Sequence, residues 1–167
     1  MTPDQFYTAF VDPNRLDCHE NPGCIRRAFN ASVSASHFLD QYYEFHKRHN
    51  SRLVSGFKDI GAFVEHISNE TDNAFKDIRS ISNAYKHLYT DKSSKFGIHS
   101  SVDSSGSIES IEFQNDDTLQ AMEEDCLSEN QNEYLVIYSR KDGCRFVFLP
   151  TIDKVVDYFY DMAVKPA

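Results

Sequence analysis

Apolar residues recur at helical spacing from residue 22 to residue 89, and after Lys95 they give way to short β-rich runs broken by turn residues. Helices first and strands afterwards is the order of an α+β domain, here a bundle of three to four helices packed on an antiparallel sheet. Helices are expected at 3–10, with Pro3 in the first turn, and at 22–49, 51–68 and 72–89. In the second of these, Ala28, Ala31, Ala35, Phe38, Leu39, Tyr42 and Phe45 share one face. Arg26, Asn30, His37, Asp40 and Glu44 lie on the other. Gly56 and Gly61 weaken the third helix by up to about 1 kcal/mol each relative to Ala. The polar run at 69–73 separates it from the fourth, whose apolar face is Ile78, Ile81, Ala84, Tyr85 and Leu88. The stretch VDPNRLDCHENPGC at 11–24 is rich in turn residues and reads as a loop.

In the second part, GIHSSV and SIESIEF flank a DSSG turn at 103–106, and EYLVIYSR and CRFVFL flank Lys141-Asp142-Gly143. Asp-Gly between β-rich runs is a strong short-range hairpin signal. Two hairpins in one sheet are expected, with Pro150 ending the last strand. A short closing helix follows at 155–164, with Val155, Val156, Phe159 and Met162 inward. The 167 residues suit a single domain, divided into a helical part at 1–92 and a hairpin part at 93–167.

Charge divides along the same line. The chain carries −9 overall; residues 1–95 hold 12 Lys/Arg against 12 Asp/Glu, and residues 96–167 hold 5 against 14. This acidic balance opposes non-specific nucleic-acid binding, which needs a basic stripe. The N-terminus has no basic start followed by an apolar segment, and no apolar run approaches the roughly 20 residues of a membrane span. A cytoplasmic protein with no membrane attachment is expected. Its four cysteines, Cys18, Cys24, Cys126 and Cys144, would then be reduced.

Four features bear on chemistry. On the 72–89 helix, Arg79, Asn83, Lys86 and His87 fall within about 100° of arc. A cation, an amide and an imidazole on one face can hold a phosphate and move a proton. The same face also suits plain solvation, and His87 near a helix C-terminus complements the dipole. Asp77 and Ser80 sit at the edge of the apolar face. A carboxylate there needs a partner, and Arg27 on the preceding long helix is the expected one, as a structural pair. Asp17-Cys18-His19-Glu20 with Cys24 holds metal-ligand residue types, but five residues separate the cysteines and nothing nearby completes a zinc set. The stretch 109–133 has nine acidic residues and no basic one, which fits a solvated loop or a docking surface for a protein partner. No Gly-rich phosphate loop, GxSxG or HExxH is present, and no cofactor or metal is expected.

Two stretches carry a resemblance: IRRAFNASVSASHFLD at 25–40 and FKDIRSISNAYKH at 75–87. They resemble a loose group of small bacterial proteins. In that group an Ala-rich helix ending in a His-hydrophobic-x-Asp pattern precedes a helix of the form R-x-I-x-N-A-x-K-H. More distantly, the paired helices are similar to HEPN domains, helical bundles that are often dimeric and often ribonucleases. That resemblance implies Arg79 and His87 as catalytic residues at a dimer cleft, with Asn83 and Lys86 in support. The expected function is a non-enzymatic interaction or regulatory module, acting through the acidic stretch 109–133 toward a protein partner or through the polar face of the 72–89 helix, with a homodimer as a further expectation. The alternative is a HEPN-like, metal-independent ribonuclease or toxin using Arg79 and His87.

Overall fold

A computed structural model describes residues 1–87, 100–112 and 134–164. The chain begins with α1 (Pro3–Phe6), continues through a π-helical turn (Tyr7–Val11) and runs directly into α2 (Asp12–Glu20). The expected loop at 11–24 is therefore helical over most of its length. Asp12 and Pro13, read as turn residues, sit in the first turn of α2, where an acidic side chain suits the dipole and a missing N–H costs nothing.

The long helix α3 (Ile25–His49) buries Ala28, Ala31, Ala35, Phe38, Leu39 and Tyr42 as its pattern requires. The helix expected at 51–68 is not continuous. A 3₁₀ turn (Ser51–Leu53) is followed by irregular chain around Gly56, and α4 (Ile60–Glu70) starts only where Asp59 caps it, its carboxylate accepting from the Ala62 N–H at 2.9 Å. The break expected at 69–73 narrows to 71–73, since Asn69 and Glu70 still belong to α4. Asp72 and Asn73 both take positive φ, 49° and 67°, and the Thr71 hydroxyl accepts from the Phe75 N–H at 3.1 Å as α5 (Ala74–His87) begins.

The sheet has three antiparallel strands in the order β1-β2-β3, not two hairpins: β1 (Ile108–Glu112), β2 (Tyr134–Ser139) and β3 (Arg145–Val147). β1 pairs with β2 across the intervening chain, placing Ile108 opposite Tyr138 and Ser110 opposite Val136. The second hairpin forms as expected, its turn closed by Gly143 at φ 86°. The first hairpin does not form among the described residues. A 3₁₀ turn (Ser105–Ser107) leads into β1, and 97–99 lie outside them. α6 (Phe148–Val164) starts directly after β3, seven residues earlier than expected. Pro150 falls in its first turn, where it starts a helix rather than ending a strand.

Alternation along β2 sends Val136 and Tyr138 into the main core, and Leu135 and Ile137 into a smaller cluster with Val147 and Ile111 on the other face. In the main core, Phe159 of α6 meets Phe38 of α3 with ring centroids 4.6 Å apart and Phe75 of α5 at 5.5 Å. No helix among the described residues is long and apolar enough to cross a membrane.

The link between α2 and α3 docks on β2 where β3 no longer covers it. The Val136 N–H donates to the Pro22 carbonyl at 2.8 Å. A Cβ on Gly23 would lie 2.4 Å from the Tyr134 Cβ and 3.1 Å from its backbone carbonyl, so only glycine allows this approach. Gly23→Ala is expected to cost about 1–3 kcal/mol by urea unfolding. Gly56→Ala, with nothing within 4 Å of the added methyl, serves as the control.

Candidate functional site

Two polar clusters form on α5, one on each flank of its buried face. The first joins α5 to the sheet. Asp77 is completely buried, with both carboxylate oxygens engaged. Arg140, just beyond β2, donates from Nε at 3.0 and 2.9 Å and from Nη2 at 2.6 Å. The Tyr138 hydroxyl donates at 2.7 Å and the Ser101 hydroxyl at 2.7 Å. Ser80 completes the cluster, its hydroxyl accepting from the Ser101 N–H at 2.9 Å. Burial pushes the Tyr138 phenol well above its ordinary range, and the Asp77 carboxylate beside it adds to the effect. Hydrogen bonding to Asp77 raises Arg140 further, and its guanidinium lies 4.1 Å from the centroid of the Phe146 ring.

Arg27 is not the partner of Asp77. Its Nη1 donates instead to the Asp17 carbonyl at 2.6 Å and to Glu20 at 3.1 Å, joining α2 to α3. A partner 63 residues away gives no local sequence signal. The usable clue was alternation: Tyr138 and Arg140 are two residues apart in the run EYLVIYSR expected to be extended, and so fall on one side of it. A shallow depression of about 290 Å³ opens beside this cluster, between Asn73, Lys76, Ser100 and Lys141.

The second cluster is the seam between α3 and α5, and it joins the two motifs noted in the sequence. Arg79 donates from Nη1 to Asp40 at 3.0 Å and to the Ser36 hydroxyl at 3.4 Å. Two turns further along α5 and one turn back along α3, Lys86 Nζ lies 3.2 Å from His37 Nε2. That contact requires the imidazole to be neutral, with its proton on Nδ1. Desolvation lowers the His37 pKa, with the Lys86 charge the next contribution in the same direction, against Asp40. Asn83 is half-buried on the same flank. Beneath the seam Phe29 and Tyr85 stack with centroids 4.0 Å apart. Arg79, Asn83 and Lys86 thus share a face as the periodicity predicts. His37 and Asp40, placed on the polar face of α3 with no role, are the residues opposite them. His87 ends α5, and its side chain lies outside the described residues.

The Cys18 region does not gather metal ligands. Cys18 is buried and its thiol pushed up to about 12, while His19 turns outward to Asp153 at 2.8 Å. Cys144 is exposed, and its hydrogen bond to Asp142 raises its thiol pKa. Among the described residues no three His, Cys, Asp or Glu side chains are placed to share a metal ion. Cys126 and most of the acidic stretch, 113–133, lie outside the described residues.

Compared with known proteins, the chain matches no family model, no curated protein and no solved structure.

Proposed function

We propose that the chain is a non-enzymatic interaction or regulatory module that works in the cytoplasm. The observation that carries this reading is the Arg79–Asp40 pair at 3.0 Å. Cleavage of a phosphodiester without metal needs a cation free to meet the charge that develops on phosphorus. Arg79 instead neutralises a carboxylate on the neighbouring helix and ties α3 to α5. Asp77 is likewise committed to Arg140 and Tyr138. Arg79 and Asp77 are thus committed to the fold, which favours binding at other surfaces. The acidic stretch 109–133 remains the proposed contact for a protein partner, with a homodimer as the alternative.

A metal-independent ribonuclease is the second reading, centred on the His37–Lys86 contact rather than on the Arg79 and His87 that the HEPN resemblance implied. Once Lys86 turns from His37 Nε2 to a phosphoryl oxygen, that nitrogen is free to take the proton of a 2′-hydroxyl as that oxygen attacks phosphorus, and the 5′-oxygen leaves with a proton from water. Lys86 would face the charge on the phosphoryl oxygens. One assay separates the readings: purified protein on single-stranded RNA with EDTA present, beside Lys86→Ala and His37→Gln. The interaction reading expects no cleavage by any of the three. Cleavage by the wild type that falls at least about 100-fold in both variants would establish the ribonuclease.

A further inference from the structure

The seam between α3 and α5 carries an unbalanced positive charge. Arg79 and Lys86 of α5 face one carboxylate, Asp40 of α3. Glu44, the next acidic residue on that face of α3, is held to Arg48 at 3.6 Å. Lys86 meets no carboxylate. Among the described residues its one polar contact is the uncharged His37 Nε2. The Asp40 and Ser36 contacts of Arg79 use Nη1 alone, which leaves its Nε–Nη2 edge without a partner among the described residues. Asn83 stands on the turn between the two cations, and its side-chain amide makes no hydrogen bond among the described residues.

These donors converge. Arg79 and Lys86 are two turns apart on α5, about 10.5 Å of helix rise, but the residues they reach, Asp40 and His37, are one turn apart on α3, about 4.5 Å. The two cationic heads are thus drawn together. They are also open to solvent: Lys86 and His37 are exposed, and the Arg79 side chain is 28 % exposed. The fixed fork of a guanidinium edge matches two oxygens of a phosphate, and an ammonium adds a point charge. Holding Arg79 on Asp40 orders that edge in advance, which excludes it from catalysis but favours recognition.

We propose that this seam binds a phosphate monoester as its dianion, between the free edge of Arg79, the Asn83 amide and Lys86, while His37 takes up a proton from solvent. When Lys86 turns from His37 Nε2 to a phosphoryl oxygen, that nitrogen is free to be protonated and then donates to the same anion. The charges that act on His37 are Lys86 and Arg79 of α5 and Asp40 of its own helix. With the imidazole protonated, three cations stand against one carboxylate, a surplus of two that matches the roughly −1.5 to −2 of a monoester. A phosphodiester or a carboxylate brings a single negative charge and leaves the seam half-neutralised. The inference goes beyond the interaction reading, which sets its protein partner at 109–133, and its test is independent of the RNA assay.

The test is an NMR titration at fixed ionic strength that follows the His37 imidazole. The probes are sulfate, a dianion at every pH used, and inorganic phosphate, phosphoserine and adenosine 5′-phosphate. Desolvation and Lys86 hold the free imidazole below its usual range, and a bound dianion opposes that charge. The His37 midpoint should therefore rise by about one unit or more when the site is filled, and sulfate should bind at least about threefold more tightly at about pH 6 than at about pH 8. Lys86→Met should weaken sulfate and phosphate at least about tenfold. His37→Gln should remove the pH dependence of sulfate binding and leave weaker binding behind. Both side chains are exposed, so neither change should move the urea midpoint. A preference for phosphoserine or for adenosine 5′-phosphate supports the site in either case and separates a modified side chain from a nucleotide as its source. No saturable binding, equal binding by Lys86→Met, dimethyl phosphate or acetate bound as tightly as sulfate, or a pH dependence that survives His37→Gln would each overturn the proposal. Failure here leaves the interaction reading untouched, since that reading stands or falls on the RNA assay.

Discussion

Asp77→Ala is expected to destabilise the protein by about 3 kcal/mol or more, a large share of the roughly 5–15 kcal/mol that holds a domain folded. The carboxylate is the shared acceptor of Arg140, Tyr138 and Ser101. Removing it strips a buried phenol of one acceptor and leaves a guanidinium without its counter-charge. The Arg140 side chain is 24 % exposed, so water can recover part of the loss, which sets the figure at the lower end of the range for broken buried pairs. A second substitution tells an ion-pair effect from a packing effect. Asp77→Ala with Arg140→Met removes both charges and should cost less than Asp77→Ala alone, because no unpaired charge remains. Urea unfolding of the four proteins in the cycle reads the difference. A double variant as unstable as the sum of its parts would mean that the two side chains do not act together.

This cluster also marks what the sequence could reveal of the site. Helical spacing was enough to group Arg79, Asn83 and Lys86, because those positions depend only on the 3.6-residue repeat. The same repeat put Asp77 against the apolar face and so made a partner necessary. It carried no information on which arginine the fold would bring. Arg27 and Arg140 are equivalent to a helical wheel, and the choice depends on where β2 crosses α5. The seam repeats the lesson. Asp40 and His37 were visible as polar residues of α3, but the rotation of α3 against α5 decides that Asp40 meets Arg79.

The fold was more legible where periodicity is long and less so where single turn residues were trusted. α3 and α5 follow their apolar stripes, and the Asp-Gly hairpin forms around Gly143. Prolines misled twice, at Pro13 and at Pro150, and for one reason. Proline is a breaker inside a helix but a good residue in its first turn, and the surrounding composition does not say which applies. The strand pairing was misassigned because the near neighbour in sequence was taken as the partner. Instead Ile108 pairs with Tyr138, and Tyr138 must lie there to reach Asp77.

Phe159→Ala should be the most damaging single truncation in the core, costing about 3–5 kcal/mol. The ring is fully buried and touches Phe38 and Phe75, so it is the point where α6 is fastened to both α3 and α5. Each aromatic contact adds about 0.5–1.5 kcal/mol beyond burial, and a cavity among three rigid helices cannot collapse to recover it. Phe159→Leu keeps most of the volume and should cost roughly half as much, and Phe10→Ala, at a ring 44 % exposed, about 0.5 kcal/mol or less. The form of the transition is as informative as its midpoint. α6 follows β3 without a break and packs on the helices, so the helical and strand parts share one core and should unfold together, with calorimetric and van't Hoff enthalpies equal. Two separate transitions in the wild type, or a Phe159→Ala loss below about 1 kcal/mol, would mean that α6 does not couple them.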